Sequence, residues 1–385
     1  MWTYPTINFT TGAVVSEHVP FTGVSFSNHL RDGGAFTGTC EVDLPYLSGD
    51  MRNVAIRLVT FPCKNGVPFG AYTWMSGPAV ALDSTVQKIS MERYDKVLMR
   101  RPIMDDLVFT GKEQVDIARD LVRYGTGLPT QYTDTPVYPD ASWAAYAQIP
   151  WLRLAGGNSA VYRDRTKVVN GQDDDGYRRK NHKPVGQALQ QLADLQNGFE
   201  FRWDVGRDSS GLYALLSFGY PIIGAYPDMA ARINFEYPGG NVVDGSYGWD
   251  ATDYANRSEQ VGGDAQGSAT VGTASNTAAL VAGYPLRVNT TQQSNVADQT
   301  NLTDKATADV AVTSVVKDSY SLKLSGDKEP VLGTYVIGDH VMVRIRRGGR
   351  TDLDERIMRL TGWTIDVDDS GMSETVTPVL AARAW

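Results

Sequence analysis

Val341-Met342-Val343-Arg344-Ile345-Arg346 alternates apolar and other residues with the two-residue period of a half-buried strand. Gly348-Gly349 follows as a turn signal. Trp363, Ile365 and Val367 then alternate as a second strand, Ser370-Gly371 marks another turn, and Val376 to Leu380 reads as a closing strand. This succession of strands and tight turns sets the character of the chain. The same pattern recurs near the start, where Val54, Ile56 and Leu58 alternate with Ala55 and Arg57. Asn65-Gly66 between Phe61 and Phe69 is a strong hairpin signal. Tyr72-Thr73-Trp74-Met75 follows, and then Val86, Ile89 and Met91, both strand-like.

Between these ends the period changes. Thr110-Gly111-Lys112-Glu113 has capping-box spacing, which predicts Thr110 as the cap of a helix carrying Ile117, Ala118, Leu121 and Tyr124, closed by Gly125. A loop-rich stretch containing Pro129, Pro136, Pro139 and Pro150 follows. Val185, Ala188, Leu189, Leu192 and Leu195 form one apolar stripe of a second helix, with Pro184 suited to its first turn and Asn197-Gly198 to its end. Phe199, Phe201 and Trp203 alternate as a strand that pairs with Tyr213, Leu215 and Ser217. Ile233, Phe235 and Tyr237 begin the return to β structure, and Leu302, Ala306, Val310 and Thr313 give one more helix, about 298–316. The Gly/Ser/Thr-rich segment 262–278 is expected as an exposed loop. The expected class is a β-rich α+β fold: a β-domain over 1–105, a mixed helical and β insertion over 106–228, and a second β-domain over 229–385.

Composition limits function. A chain of 385 residues, 42% apolar and 21% charged, fills more than one core and is not disordered. A formal charge of −8 argues against a dedicated nucleic-acid binder. No run of 18 apolar residues occurs, so membrane insertion is not expected. The opening Met1-Trp2-Thr3-Tyr4-Pro5 lacks the features of a signal peptide, which leads to the expectation of a protein assembled in the cytoplasm. Cys40 and Cys63 are expected as free thiols.

No motif carries chemistry. His18, His29, His182 and His340 show no ligand spacing, and no metalloprotease, nucleophile-elbow or phosphate-loop pattern is present. Carboxylates gather at Asp105-Asp106, Asp173-Asp174-Asp175, Asp352 with Asp354, and Asp368-Asp369, where solvated turn residues are the ordinary reading and a catalytic pair the alternative. No catalysis, metal or cofactor is expected. Trp74, Trp203 and Trp363 sit inside strand patterns as core residues. The densest basic group is Arg344, Arg346, Arg347 and Arg350. It reads either as a solvated hairpin tip or as a contact, with Asp352, Asp354 and Glu355 of the same hairpin or with another subunit.

Several segments resemble a known family. They are the Lys64-Asn65-Gly66 turn with Trp74-Met75-Ser76-Gly77 and Arg100-Arg101-Pro102-Ile103, then Asp106-Leu107-Val108-Phe109-Thr110-Gly111 with its helix. Val185-Gly186-Gln187-Ala188-Leu189 through Gly198-Phe199-Glu200-Phe201-Arg202 follows, then Phe235-Glu236-Tyr237-Pro238-Gly239-Gly240-Asn241 and Ala282-Gly283-Tyr284-Pro285-Leu286. Leu332-Gly333-Thr334-Tyr335-Val336-Ile337-Gly338-Asp339 and the strands after it close the series. In order and spacing these resemble minor tail proteins of actinobacterial phages with long non-contractile tails (siphoviruses). The loop Tyr132 to Tyr146 and Asp173 to Asp175 look particular to this sequence.

The resemblance implies a structural baseplate hub with two tail-tube-like β-barrel or sandwich domains per chain. Three copies would present six such domains, so a homotrimer could dock on a sixfold tube. Implied partners are the distal tail or tail tube protein, the tape-measure protein and other minor tail or tip proteins, with genomic DNA in transient passage and no stable nucleic-acid binding. The implied location is the virion tail tip. The subunit-contact candidates are Arg344, Arg346, Arg347, Arg350, Asp352 and Asp354. Rival readings are a tail-tip cell-wall hydrolase and a carbohydrate- or receptor-binding module.

Overall fold

The computed structural model describes residues 1–31, 33–41, 56–77, 85–127, 147–165, 177, 182–195, 197–225, 233–265, 268–293, 299–346 and 353–382. Val54 and Ala55, the Tyr132 to Tyr146 loop, Asp173 to Asp175, the Gly348-Gly349 turn, Arg347, Arg350 and Asp352 lie outside them. The chain is β-rich, with several sheets and a smaller helical part, and no sheet among the described residues closes into a barrel. It forms two compact units, Met1–Asp244 with Leu322–Val379, and Gly245–Ser321 with Leu380–Trp385.

In the first unit one long sheet runs, neighbour by neighbour, from Glu374–Ala382 to Leu353–Val367, Thr22–His29, Ala35–Glu41, Val86–Arg93 and Tyr72–Ser76. It ends through Leu58–Thr60 and Thr6–Asn8 at Val14–Ser16. Side chains alternating along Thr22–His29, Ala35–Glu41 and Val86–Arg93 bury one face. Phe26, Phe36, Tyr72 and Trp74 are all buried, and their rings meet at centroid distances such as 5.8 Å for Phe36 and Tyr72. Trp2, Tyr4 and Phe21 extend this aromatic cluster. The Leu353–Val367 strand serves two partners. Its first half lies antiparallel to His340–Arg346, and Gly362 to Asp366 lie antiparallel to Ser25 to His29. Gly362 permits the change of partner, because a Cβ there would sit 2.4 Å from His29 Nδ1. Asn234–Tyr237 adds a parallel edge to His340–Arg346. The Asn65-Gly66 hairpin forms as expected between Cys63–Lys64 and Val67–Pro68, with both turn residues at positive φ, 51° and 84°.

The mixed part packs helices Gln114–Gly125 and Val185–Ala193 against a three-stranded sheet of Leu152–Leu154, Gly211–Gly219 and Glu200–Asp208. Each helix turns its expected stripe inward. Ile117, Ala118, Leu121 and Tyr124 are buried, as are Val185, Ala188, Leu189 and Leu192. The cap differs from the sequence reading. Thr110 lies in a strand, Phe109–Glu113, and Glu113 is itself the cap: its carboxylate accepts from the backbone N–H of Val115 and Asp116 at 2.9 and 3.0 Å. Phe109, Lys112 and Glu113 pair with Tyr162–Arg165, so the chain is still in a strand at Glu113 and the helix starts only after it, which overrides the capping box. Pro184 sits one residue earlier than a first-turn position, as the cap residue of the second helix. The apolar core of these helices continues without a break into Ile7, Phe9, Val59 and Phe61. Trp151 is the joint: its Nε1–H donates to Phe9 O at 2.8 Å and its ring meets Phe9, Phe61 and Tyr94 edge-on.

In the second unit Arg257–Ala265 pairs antiparallel with Ser268–Ser275 and parallel with Val288–Gln293, and helix Gln299–Thr313 covers the sheet through Leu302, Ala306 and Val310. The exposed loop expected over 262–278 is therefore largely a hairpin. Its small residues serve close packing: a Cβ on Gly272 would lie 2.2 Å from the Leu302 backbone carbon, so the helix sits directly on the strand. Buried Asn256 fixes the following loop, donating to Pro285 O at 3.0 Å and accepting from Arg287 N–H at 2.9 Å.

Glu113 also accepts from Ser159 N–H, so one carboxylate caps a helix and anchors a loop. Glu113→Ala is expected to destabilise the fold by about 1–3 kcal/mol, measured as a lower urea midpoint at unchanged slope.

Candidate functional site

The charged side chains are largely committed to holding elements together. Glu374 lies on the inward face of the closing strand with Val376. Its carboxylate accepts from Trp2 Nε1–H at 3.0 Å and from Lys64 Nζ, which also reaches Asp327 at 2.7 Å. Burial opposes the charge on Lys64, but its hydrogen bonds to Asp327 and Glu374 outweigh that and raise its pKa. Arg93 and Asp95 form a buried pair at 2.5 Å, with Asn28 and the His29 carbonyl accepting the two Nη1 protons. Lys112 pairs with Asp120, and Arg359 grips Glu200 with both terminal nitrogens.

The carboxylate groups picked out in the sequence take the same course. Asp105 accepts from Tyr124 Oη–H at 2.9 Å. Asp368 organises its turn, with the hydroxyls of Ser373 and Ser370 holding its carboxyl at about 2. Asp369 accepts from Gly23 N–H at 3.0 Å. His18 stacks on Tyr4 and His340 Nδ1 lies 3.2 Å from Ala225 O. Among the described residues no three His, Cys, Asp or Glu side chains gather where a metal could sit. Cys40 and Cys63 are buried and free, and burial pushes their thiols up to about 11 and about 12, which disfavours the reactive thiolate. Trp74, Trp203 and Trp363 are buried in the core.

The basic hairpin lies at the start of the long strand. Arg344 stands opposite Glu355 in the ladder, with Nε 3.0 Å from Oε1, and opposite Glu236 on the parallel side. Asp354 meets Arg356 at 3.4 Å. Arg346 is exposed. Arg344, Glu355 and Glu236 thus share one face of the sheet, and Asp354 and Arg356, in register with Ile345 and Val343, the other.

Two exposed apolar features escaped the sequence reading. Trp249, on Val242–Asp250, is 69% exposed. Val281, Tyr284 and Leu286 project from the loop around helix Thr277–Val281. Glycines and polar residues surround them in sequence, so no period marks them. Glu374 was discoverable: its phase in the closing strand puts it with Val376, on the inward side.

No protein-family profile matches the sequence, and no curated protein is similar to it. Solved structures do match over the whole chain. A tail protein of Neisseria meningitidis MC58 superposes with a TM-score of 0.59 at 13% identity, covering 100% of this chain and 98% of its own. The 43 kDa tail protein of prophage MuSo2 from Shewanella oneidensis gives 0.57 at 11% identity, covering 98% of both. The chain has the fold of phage tail proteins. One more structure, a Francisella PdpA-VgrG complex, gives 0.55 at 9% identity, with 99% of this chain aligned to 52% of that one. At such identities the likeness is one of backbone path, carried by apolar patterning rather than by shared side chains.

Glu374→Ala leaves Lys64 with Asp327 alone and Trp2 Nε1–H without its acceptor. A loss of about 3 kcal/mol is expected, read from chemical denaturation. Because the folded-state pKa of Lys64 is raised, its contribution is complete below the unfolded value of about 10.4. It is lost as pH rises through the folded value, so stability should fall in strongly alkaline solution. Lys64→Met should flatten that fall.

Proposed function

We propose that this chain is a structural component of a phage tail, the hub of the baseplate at the distal end of a non-contractile, siphovirus-type tail. One observation carries the reading: two phage tail proteins align with it at 98–100% of this chain and 98% of theirs. The order of family-like segments along the sequence supports the actinobacteriophage type. In this reading residues 1–105 and 229–385 each contribute a tail-tube-like β-domain, and 106–228 is the insertion between them. The chain assembles as a homotrimer, joins the tail tube to tip proteins, holds the end of the tape-measure protein and later surrounds passing DNA. It is a non-enzymatic part of the virion, assembled in the host cytoplasm.

The electrostatics favour such a channel. Each chain has a formal charge of −8, so a trimer would be net acidic, and each phosphate contact made in a channel would slow transit. Arg344, Arg346, Arg347, Arg350, Asp352 and Asp354 are then subunit contacts or pairs within the hairpin, not a free lining of the lumen. The Arg344–Glu355 pair supports the second of these roles for Arg344.

A receptor-binding module is the second reading, supported by exposed Trp249 and Tyr284 in the second unit. Binding of the purified chain to host cell-wall polysaccharide, abolished by Trp249→Ala, would favour it.

Light scattering of the purified protein, or particle imaging of the tail tip, is expected to give the mass of three 42.1 kDa chains and a threefold ring. A ring of six copies would overturn the two-tube-domain reading. Arg346→Glu with Arg347→Glu is expected to weaken trimer formation about tenfold or more, since like charges at a contact repel, while cooperative unfolding of the chain persists. Unchanged association would remove these arginines from the interface.

A further inference from the structure

The three-stranded sheet of the second unit has one unguarded edge. Its strands run in the order Ser268–Ser275, Arg257–Ala265, Val288–Gln293, so the first and the last are edges. The Ser268–Ser275 edge is engaged from within, where Gln299 Nε2 donates to Val271 O at 2.6 Å. Arg287 fixes which backbone groups face outward along the other. Its N–H donates to Asn256 Oδ1 at 2.9 Å, and its carbonyl accepts from the N–H of Asn256 and Arg257 at 3.0 and 3.1 Å, so both of its polar groups point at the neighbouring strand. Successive residues of a strand turn these groups to opposite sides. Asn289 and Thr291 therefore face Arg257–Ala265, while Val288, Thr290 and Gln292 present their N–H and C=O groups outward, with no partner among the described residues.

Edges are ordinarily blunted by Lys, Pro, a bulge or a covering element. Val288-Asn289-Thr290-Thr291-Gln292-Gln293 has no Lys, no Pro and no charge, and its register against Arg257–Ala265 runs without a shift. Helix Gln299–Thr313 lies over one face of the sheet, where Asn289 Nδ2 donates to Asp309 at 2.9 Å, and not along this edge. On the opposite face Val288 is 45% exposed, and Leu286, just before the strand, 58%. These features select the occupant. A row of donors and acceptors at strand spacing is met by an extended backbone, since a helix has spent its own groups and a lipid tail has none. Uncharged, β-prone residues beside two exposed aliphatic side chains favour a strand whose facing side chains are also apolar or β-branched. A second copy fits poorly. Two copies meeting by this edge form a twofold pair, which a threefold ring does not contain, and the other edge of the sheet is held by Gln299.

We propose that the Val288–Gln293 edge is completed by an extended, uncharged strand of a neighbouring tail protein, whose backbone pairs with Val288, Thr290 and Gln292 and whose apolar side chains cover Leu286 and Val288. In strand addition of this kind the main chain supplies affinity and alternate side chains supply specificity. The proposal rests on the reading of the chain as a phage-tail component, but its test does not depend on the number of copies in the ring.

The test uses the full ¹⁵N-labelled chain, with the peptide acetyl-Ser-Thr-Val-Thr-Val-Thr-amide as probe. The backbone amide signals of Val288, Thr290 and Gln292 are expected to shift together, saturating in the millimolar range, and their hydrogen exchange to slow severalfold. Thr290→Pro removes one outward N–H that takes no part in the pairing with Arg257–Ala265, so the urea midpoint should hold while probe binding falls at least tenfold. The same peptide N-methylated throughout keeps its side chains, loses its donors and should not bind. Should Thr290→Pro unfold the chain, the N-methylated peptide decides alone. No shift at the solubility limit of the probe, equal binding of the N-methylated peptide, or binding indifferent to Thr290→Pro in a folded chain would each overturn the proposal. Dimers of the chain that Thr290→Pro abolishes would also overturn it, assigning the edge to a second copy. Probe capture by a chain that forms no threefold ring would keep the edge and discard the trimer; a threefold ring of a chain that captures no probe would do the opposite.

Discussion

The antiparallel pairing of Leu353–Val367 with Thr22–His29 is the constraint on which the first unit depends. Without it the opening strands and the closing strands would be two incomplete sheets, each with a bare edge of unpaired N–H and C=O groups. With it they become one. The Trp2–Glu374–Lys64 group fastens the same junction from the side, joining residues 372 positions apart through a carboxylate withdrawn from water. A buried carboxylate is tolerable there only because two donors meet it.

The mixed insertion is secured in a different way. Its two helices do not form a separate core but share one with Ile7, Phe9, Val59 and Phe61, and Trp151 bridges them through both ring contacts and its indole N–H. Shared packing of this kind resists small displacements, since interiors are close-packed and yield little. Charged pairs such as Arg359 with Glu200 reinforce it where the sheet meets the insertion.

Local pattern made much of the fold legible. The hairpin at Asn65-Gly66, the stripes of both helices, the helix Gln299–Thr313 and the alternating strands at the closing end follow from a two- or four-residue period and from turn chemistry, whereas Ile56, read as part of a strand, is an exposed turn residue at φ 59° and the strand begins at Leu58. What was not legible is what depends on partners far away in sequence. Phe109–Glu113 became a strand because Tyr162–Arg165 pairs with it, so the cap moved from Thr110 to Glu113. Residues 262–278 look like a loop by composition, but the approach of helix Gln299–Thr313 demands glycine at 272 and turns poverty of side chains into a packing surface. Of the candidate contact residues, the sequence located the hairpin and its charges, and the Arg344–Glu355 ladder pair follows from that register.

The junction between opening and closing strands also sets the timetable of folding. Gly23 and Asp369, which touch in the finished sheet, are 346 positions apart in the chain. At about 5–20 residues per second, a ribosome would need roughly 20–70 s to travel between them. Throughout that interval the Thr22–His29 strand has no partner on one side, and any passing β-edge could take the place reserved for Leu353–Val367. The cell must therefore keep each nascent chain apart from its neighbours until the last strands emerge. The chain is in this way most exposed to mispairing before it is complete.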